Sequence, residues 1–395
     1  MKNPKARVIA YYLPQFHPIP ENDYWWGPGF TEWTNVANAK PLFKGHYQPR
    51  IPADLGFYDL RLPQVRKAQA DMARSVGIEG FCYWHYWLGG GKELLEMPFN
   101  EVLRSGEPDF PFCLAWANHS WSTKTWQNTT KKGNSQQTMI AKQLYLGEDD
   151  YIQHFYSLLP AFKDKRYMTI DGKPIFVIYD PFDMGNECMH FMSLWRDLAK
   201  KNGLAGIYFI GHLLNTTVVQ SHMLMDNSHK KRYPHSKNYK QAYENLLTSY
   251  GFDAIQPKGQ MRAERATYGD TYVSIRKRLQ SRFPWLPTIK FSYPKVMQHF
   301  YVPEDRCTNV FPTILSGWDR SPRAGNAEAV YIDYTPESFK RHVCQGIEIV
   351  KDKPLEHRVL FLKSWNEWGE GNYLEPDRKY GHAFLNVLRD SLFDE

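Results

Sequence analysis

Short apolar runs recur along the chain, separated by stretches whose apolar positions return every three to four residues. The runs are ARVIAYYLP (6–14), IEGFCYWHY (78–86), FPFCLAWAN (110–118), KPIFVIYDP (173–181), AGIYFIGHL (205–213), FDAIQP (252–257), VFPTILSGWD (310–319) and RVLFLKSWNE (358–367). They are continuous rather than alternating, which suits parallel strands covered on both faces. The stretches between them read as helices. In 62–76 the apolar spacing is about 3.6, and Gly77 follows, free to take the left-handed conformation that ends a helix. Residues 151–162, 187–202 and 240–250 carry similar patterns. The helix predicted over 336–350 starts with Pro336, whose missing N–H costs nothing in a first turn, behind Thr335 as its cap. Strand and helix alternate eight times, the pattern of an α/β fold of the (β/α)8 TIM-barrel type. The run at 252–257 is the weakest, and 261–308 is the least regular interval, with one helix predicted around 274–279. The chain reads as a single barrel domain over 1–395 with extended loops and a basic excursion around 258–308, over the barrel mouth.

Composition agrees with one large core: 42% of the 395 residues are apolar, which excludes a disordered chain. The 13 Trp, 25 Tyr and 23 Phe supply that core and leave flat faces over, of the kind on which sugar rings stack. The net charge of +7 is concentrated in HKKRYPHSKNYK (229–240) and in 258–282. Such runs are commonly solvated surface; otherwise they attract anionic glycans, lipid phosphates or nucleic acid, and no nucleic-acid-binding motif accompanies them. The five cysteines (Cys82, Cys113, Cys188, Cys307, Cys344) include no CxxC pair, so a disulfide framework is not expected and a reducing compartment is. The chain opens directly into a strand without a signal-peptide core, so a cytoplasmic location is expected, or a periplasmic one if a leader has been removed. No apolar run is long enough to span a membrane.

In such barrels the chemistry sits at the carboxyl ends of the strands. The ends bring forward Tyr12, Gln15 and His17; Trp84, His85 and Tyr86; Trp116, Asn118 and Trp121; then Asp180 and His212. Trp318 and Asp319 follow, and Trp365, Asn366, Glu367, Trp368 and Glu370 come last. Singly, each has a plain explanation: Asp180 before Pro181 can shape a turn, and His212 can be a core histidine. Together they would ring one cavity with aromatic faces and a few polar groups, as a sugar site requires.

The stretch WNEWGEG (365–371) carries the reactive pair. Glycosidic cleavage commonly needs one protonated and one ionised carboxyl group. Burial against Trp365 or Trp368, or a neighbouring anion, would hold Glu367 and Glu370 in different states. Gly369 and Gly371 permit the turn that aims both acids into one cavity.

SWNEWGEG (364–371) resembles the glutamate-bearing motif of glycoside hydrolase family 99, the endo-α-mannosidases and endo-α-mannanases. More specifically, AYYLPQFHPIPENDYWWGPGFTEWTNV (10–36), YQPRIPADLGFYDL (47–60), GIEGFCYWHYW (77–87) and LAWANHSW (114–121) are similar to the WbsX family, a relative of family 99 labelled glycosyltransferase and often encoded with bacterial polysaccharide genes. The likeness runs from Tyr11 to about Glu375. It implies a (β/α)8 barrel and metal-independent, retaining attack on an α-linked sugar, with no cofactor. By that resemblance Glu367 would take the proton of the sugar 2-hydroxyl, whose oxygen attacks the anomeric carbon to give a 1,2-anhydro sugar. Glu370 would protonate the leaving oxygen and later activate water. Family 99 usually has His where this chain has Gly369, which weakens transfer of mannoside specificity.

The expected substrate is an oligo- or polysaccharide. A glycosyltransferase is the alternative, although no Asp-x-Asp pair occurs and the glycines of LGGGKEL (88–94) lack a phosphate-binding spacing. A non-catalytic glycan-binding barrel would explain the aromatics but not two acids in one loop. Metal hydrolysis lacks a ligand motif.

Overall fold

The computed structural model describes residues 3–122, 139–213, 243, 247, 250–283 and 285–393. Eight parallel strands form a nearly closed barrel: β1 (Arg7–Tyr12), β2 (Ile78–Trp87), β3 (Phe112–Trp116), β4 (Lys173–Ile178), β5 (Tyr208–Leu213), β6 (Ala254–Pro257), β7 (Thr313–Ile314) and β8 (Val359–Leu362). Spatial order follows chain order, and β1 pairs with β8 to join the two ends of the sheet. The seam between β6 and β7 is thin. Ile255 N donates to Asn309 O and Phe311 N to Ile255 O, both at 2.9 Å, while Gln256 Nε2 reaches Thr313 Oγ1 at 3.2 Å.

The helices α1 (Pro63–Ser75), α2 (Met97–Ser105), α3 (Glu148–Phe162), α4 (Glu187–Lys201), α5 (Gln260–Tyr268), α6 (Asp270–Arg282), α7 (Pro336–Val350) and α8 (Ala383–Leu392) lie between or after the strands. The start of α7 is as predicted: Ser338 N donates to Thr335 Oγ1 at 3.2 Å and Thr335 N to Ser338 Oγ at 2.9 Å. Gly77 takes φ +85° just beyond α1. The basic run 229–240, and most of the helix predicted over 240–250, lie outside the described residues. The interval after β6 is more ordered than its pattern suggested. It holds α5, α6 and a short strand, Lys290–Ser292, paired with Val330–Ile332. These pack around Ala263, Val273, Phe291 and Val296, an apolar cluster that also takes in Trp318 just beyond β7.

Side chains along a strand alternate between the barrel interior and the helix layer. In β1, Tyr11 points inward: its hydroxyl donates to Gln256 Oε1, and its ring stacks on Trp84 at 4.5 Å and 7°. Tyr12 points outward and donates to Gln69 Oε1 of α1 at 2.6 Å. This alternation decides which strand-end residues reach the mouth. Among the described residues no helix is long and apolar enough to cross a membrane.

Candidate active site

Beyond β8 the chain stays tied to β1 before it turns. Trp365 N donates to Tyr11 O at 2.7 Å. Asn366 clamps the backbone of Leu13, accepting its N–H at 2.7 Å and donating to its carbonyl at 3.0 Å. A 3-10 turn, Trp368–Glu370, then closes at Gly371 with φ +62°. The clamp and turn place Glu367 and Glu370 on the wall of one cavity of about 300 Å³ at the barrel mouth. That volume is near the lower end of small-molecule pockets, about 300–1,000 Å³. Gln15, Trp84, Tyr86, Trp121 and Trp318 line it too, with Tyr179 and His119.

The acids are set by cations. Arg323, on the short helix Ser321–Ala324, sits between three carboxylates. Its Nε meets Glu32 Oε1 at 2.8 Å, one terminal nitrogen meets Glu370 Oε1 at 3.0 Å, and the other meets Glu367 Oε1. Arg320 Nε adds a contact to Glu370 at 3.1 Å. Burial pushes Glu367 up to about 7; Arg323 opposes it, while Glu370 and Glu32 add to it. Burial acts on Glu370 in the same sense, but Arg320, Arg323, Lys363 and Lys258 outweigh it and hold Glu370 at about 2. Below about pH 7 the pair therefore carries one proton, favoured on Glu367, with Glu370 ionised.

The rest of the strand-end set does not line the cavity, and alternation accounts for much of it. Tyr12 faces α1. His85 faces the helices, its Nε2 2.8 Å from His154 Nε2 of α3, and burial lowers its pKa to about 3. Trp116 packs on His154 and Phe191, its indole N–H on Trp87 O. Trp365 packs outward near Phe81. Others are structural ties. Asn118 exchanges hydrogen bonds with the backbone of Asp180, at 2.7 and 2.8 Å, and joins the ends of β3 and β4. Asp180 caps its own turn through Phe182 N. His17 Nδ1 lies 2.9 Å from Pro14 O. His212 stacks on Tyr179 beneath the floor. Asp319 is fully buried on His46, Gln48 and Arg50, and its N–H donates to Glu370 O at 2.7 Å. Trp368 stacks on Tyr373 at 3.7 Å and donates to Glu375 Oε2 at 2.6 Å. The indoles of the motif thus brace the loop from behind, and the arginines and lysines separate the two acids.

Glu32, Lys258, Arg323 and Lys363 were missed, though Lys363 stood out as a charge ending an apolar run. Gly369 also gains a reason. A Cβ there would overlap Glu32 Oε1 and lie 2.8 Å from Arg323 Nε. The glycine makes room for the Glu32–Arg323 pair. Among the described residues no His, Cys, Asp and Glu group could hold a metal ion.

Residues 8–388 match the family model described as Glycosyltransferase WbsX. The chain belongs to the WbsX family. This WbsX chain is 32% identical over 391 residues to proteins named WxcX, themselves uncharacterized, from two strains of Xanthomonas campestris pv. campestris. The match covers 98% of this chain and 50% of each relative, so the chain spans about half their length. Among solved structures it resembles a glycoside hydrolase-like protein, with TM-score 0.56 and 14% identity over 100% of this chain and 95% of that one. It also resembles the family 99 endo-alpha-mannosidase of Bacteroides thetaiotaomicron in complex with bis-tris-propane, with TM-score 0.52 and 13% identity over 97% and 95%. Those likenesses establish the fold: this WbsX chain has the barrel seen in the family 99 enzyme.

Proposed function

We propose that this protein is a glycoside hydrolase that cleaves an α-linked glycan with retention, using Glu367 and Glu370 as its acid/base pair. The observation that carries the reading is two carboxyl groups of one loop meeting in one aromatic-walled cavity, with their ionisation driven apart. Trp84, Trp121 and Trp318 offer faces for sugar rings, and Gln15 and His119 offer polar groups for hydroxyls. The roles follow the family resemblance. Glu367 takes the proton of the 2-hydroxyl as that oxygen attacks the anomeric carbon, and the bond to the leaving oxygen breaks as Glu370 protonates it. Water then opens the 1,2-anhydro sugar, with Glu370 as base. This division needs the proton on Glu370 at the moment of cleavage, the reverse of the order that burial and the cations favour. Bound substrate must therefore weaken the cations' hold on Glu370. The chain as a whole is read as one catalytic barrel.

A sugar transferase is the second reading. The family description favours it, as does the cation cluster of Lys258, Arg320, Arg323 and Lys363, which suits a phosphate-bearing donor. Incubation with a panel of α-glycans, and in parallel with sugar nucleotides plus acceptor glycans, separates the two by mass spectrometry. Shortened glycans support hydrolysis; extended acceptors, with no shortening, overturn it.

A further inference from the structure

Among the described residues four cationic side chains line the cavity, and of these the two arginines meet carboxylates. Arg323 is held by Glu32, Glu367 and Glu370, and Arg320 by Glu370 and by Glu328 at 3.1 Å. Lys258 follows β6 directly and Lys363 follows β8, so the barrel points both at the same space. Among the described residues neither has a carboxylate within the 4.0 Å of an ion pair. The Trp318 ring, 5.4 Å from Lys258 Nζ, is a weak partner for a half-buried ammonium group. The mismatch is felt nearby: burial, then the charge of Lys363, lowers Lys258 to about 8. Burial, then the same two lysines, holds His212 far below the ordinary histidine range. Like charges kept together away from bulk water are costly unless something anionic joins them.

We propose that Lys258 and Lys363 form a subsite for an anionic group, carboxylate or phosphate, carried by the sugar at the bond that is cleaved. The substrate is then an acidic glycan. This rests on the hydrolase reading and supplies what that reading lacks. A bound anion would offset two of the four cations that hold Glu370 ionised, and so favour the proton on the leaving-group acid. A neutral glycan would leave Glu370 charged.

The test measures binding by calorimetry, so it does not depend on turnover. The probes are α-mannan and α-glucan oligosaccharides, each unmodified, oxidised at C6 to the uronate, or phosphorylated at C6. At least one charged form is expected to bind roughly ten- to hundredfold more tightly than its neutral parent. Lys258→Met and Lys363→Met should each erase most of the ratio of charged to neutral affinity, with unchanged near-UV circular dichroism. The better charged form tells carboxylate from phosphate. Equal affinity of charged and neutral forms on both backbones, or an advantage that survives in both variants, overturns the subsite. A protein that prefers the acidic probes yet cleaves none keeps the subsite and loses the hydrolase reading. One that cleaves neutral glycans without preference does the reverse.

Discussion

Gly369→Ala probes the most crowded point of the site. The new methyl would overlap Glu32 Oε1 and press on Arg323 Nε, 2.8 Å away. The Gly369 backbone is not in the left-handed region, so the penalty is steric. To reach ordinary contact the carboxylate must retreat by roughly 1.5 Å, which opens its 2.8 Å ion pair with Arg323. Glu32 is fully buried, and a buried pair broken in this way costs about 3–5 kcal/mol. With about 2.1 cal/mol/K of unfolding entropy per residue over 395 residues, 4 kcal/mol lowers Tm by roughly 5 °C. Thermal and guanidinium unfolding of a double-mutant cycle isolates the cause. On a Glu32→Ala background the same alanine should cost only about 1 kcal/mol, a coupling of roughly 2–4 kcal/mol. Wild-type stability of Gly369→Ala, or simple addition of the two effects, would refute the crowding account. The same geometry explains why a histidine, as in family 99, has no room here while Glu32 holds Arg323.

Four further outcomes are expected. Glu367→Gln and Glu370→Gln should each cut cleavage by about a hundredfold or more without unfolding the chain. A nitrophenyl leaving group should rescue Glu370→Gln but not Glu367→Gln; rescue of the other variant would exchange the roles. Because the pair must share one proton, kcat/KM should fall above about pH 7, where Glu367 ionises, and hold at lower pH until Glu370 protonates near 2; a basic limb below pH 5 would contradict the pair. The raised value of Glu367 also means that the folded state binds this proton more tightly than the unfolded chain. Its contribution therefore makes Tm rise as pH falls from about 7 toward the ordinary glutamate value of 4.5. Trp84→Ala, which removes a cavity face stacked on Tyr11, should raise KM roughly tenfold, and an unchanged KM would take Trp84 out of sugar binding.

The barrel was legible because buried parallel strands write themselves as continuous apolar runs, and all eight fall where those runs lie. The same continuity hides which way each side chain points. With no polar face to mark the alternation, Tyr12, His85, Trp116 and Trp365 looked equivalent to Trp84 and Tyr86, yet they face the helices. Arg323 and Glu32 were illegible for a different reason. Neither is at a strand end, and they meet only because separate loops fold over the mouth, 291 residues apart in the chain. Asn118 and Asn366 show a third limit: an amide that ties two strand ends together looks, in sequence, like one that holds a ligand.

The pairing of β1 with β8 has a consequence for how the protein is made. The ribosome delivers the aromatic wall of Trp84 and Trp121 early, whereas both acids emerge with the last strand. Until residues 359–362 reach β1, its edge stays unpaired, and Glu32 has no Arg323 to receive it until shortly before. On the proposed reading, a growing chain presents a half-built trough of rings before it holds the acids, and the site is completed in one late step, when β8 docks against β1.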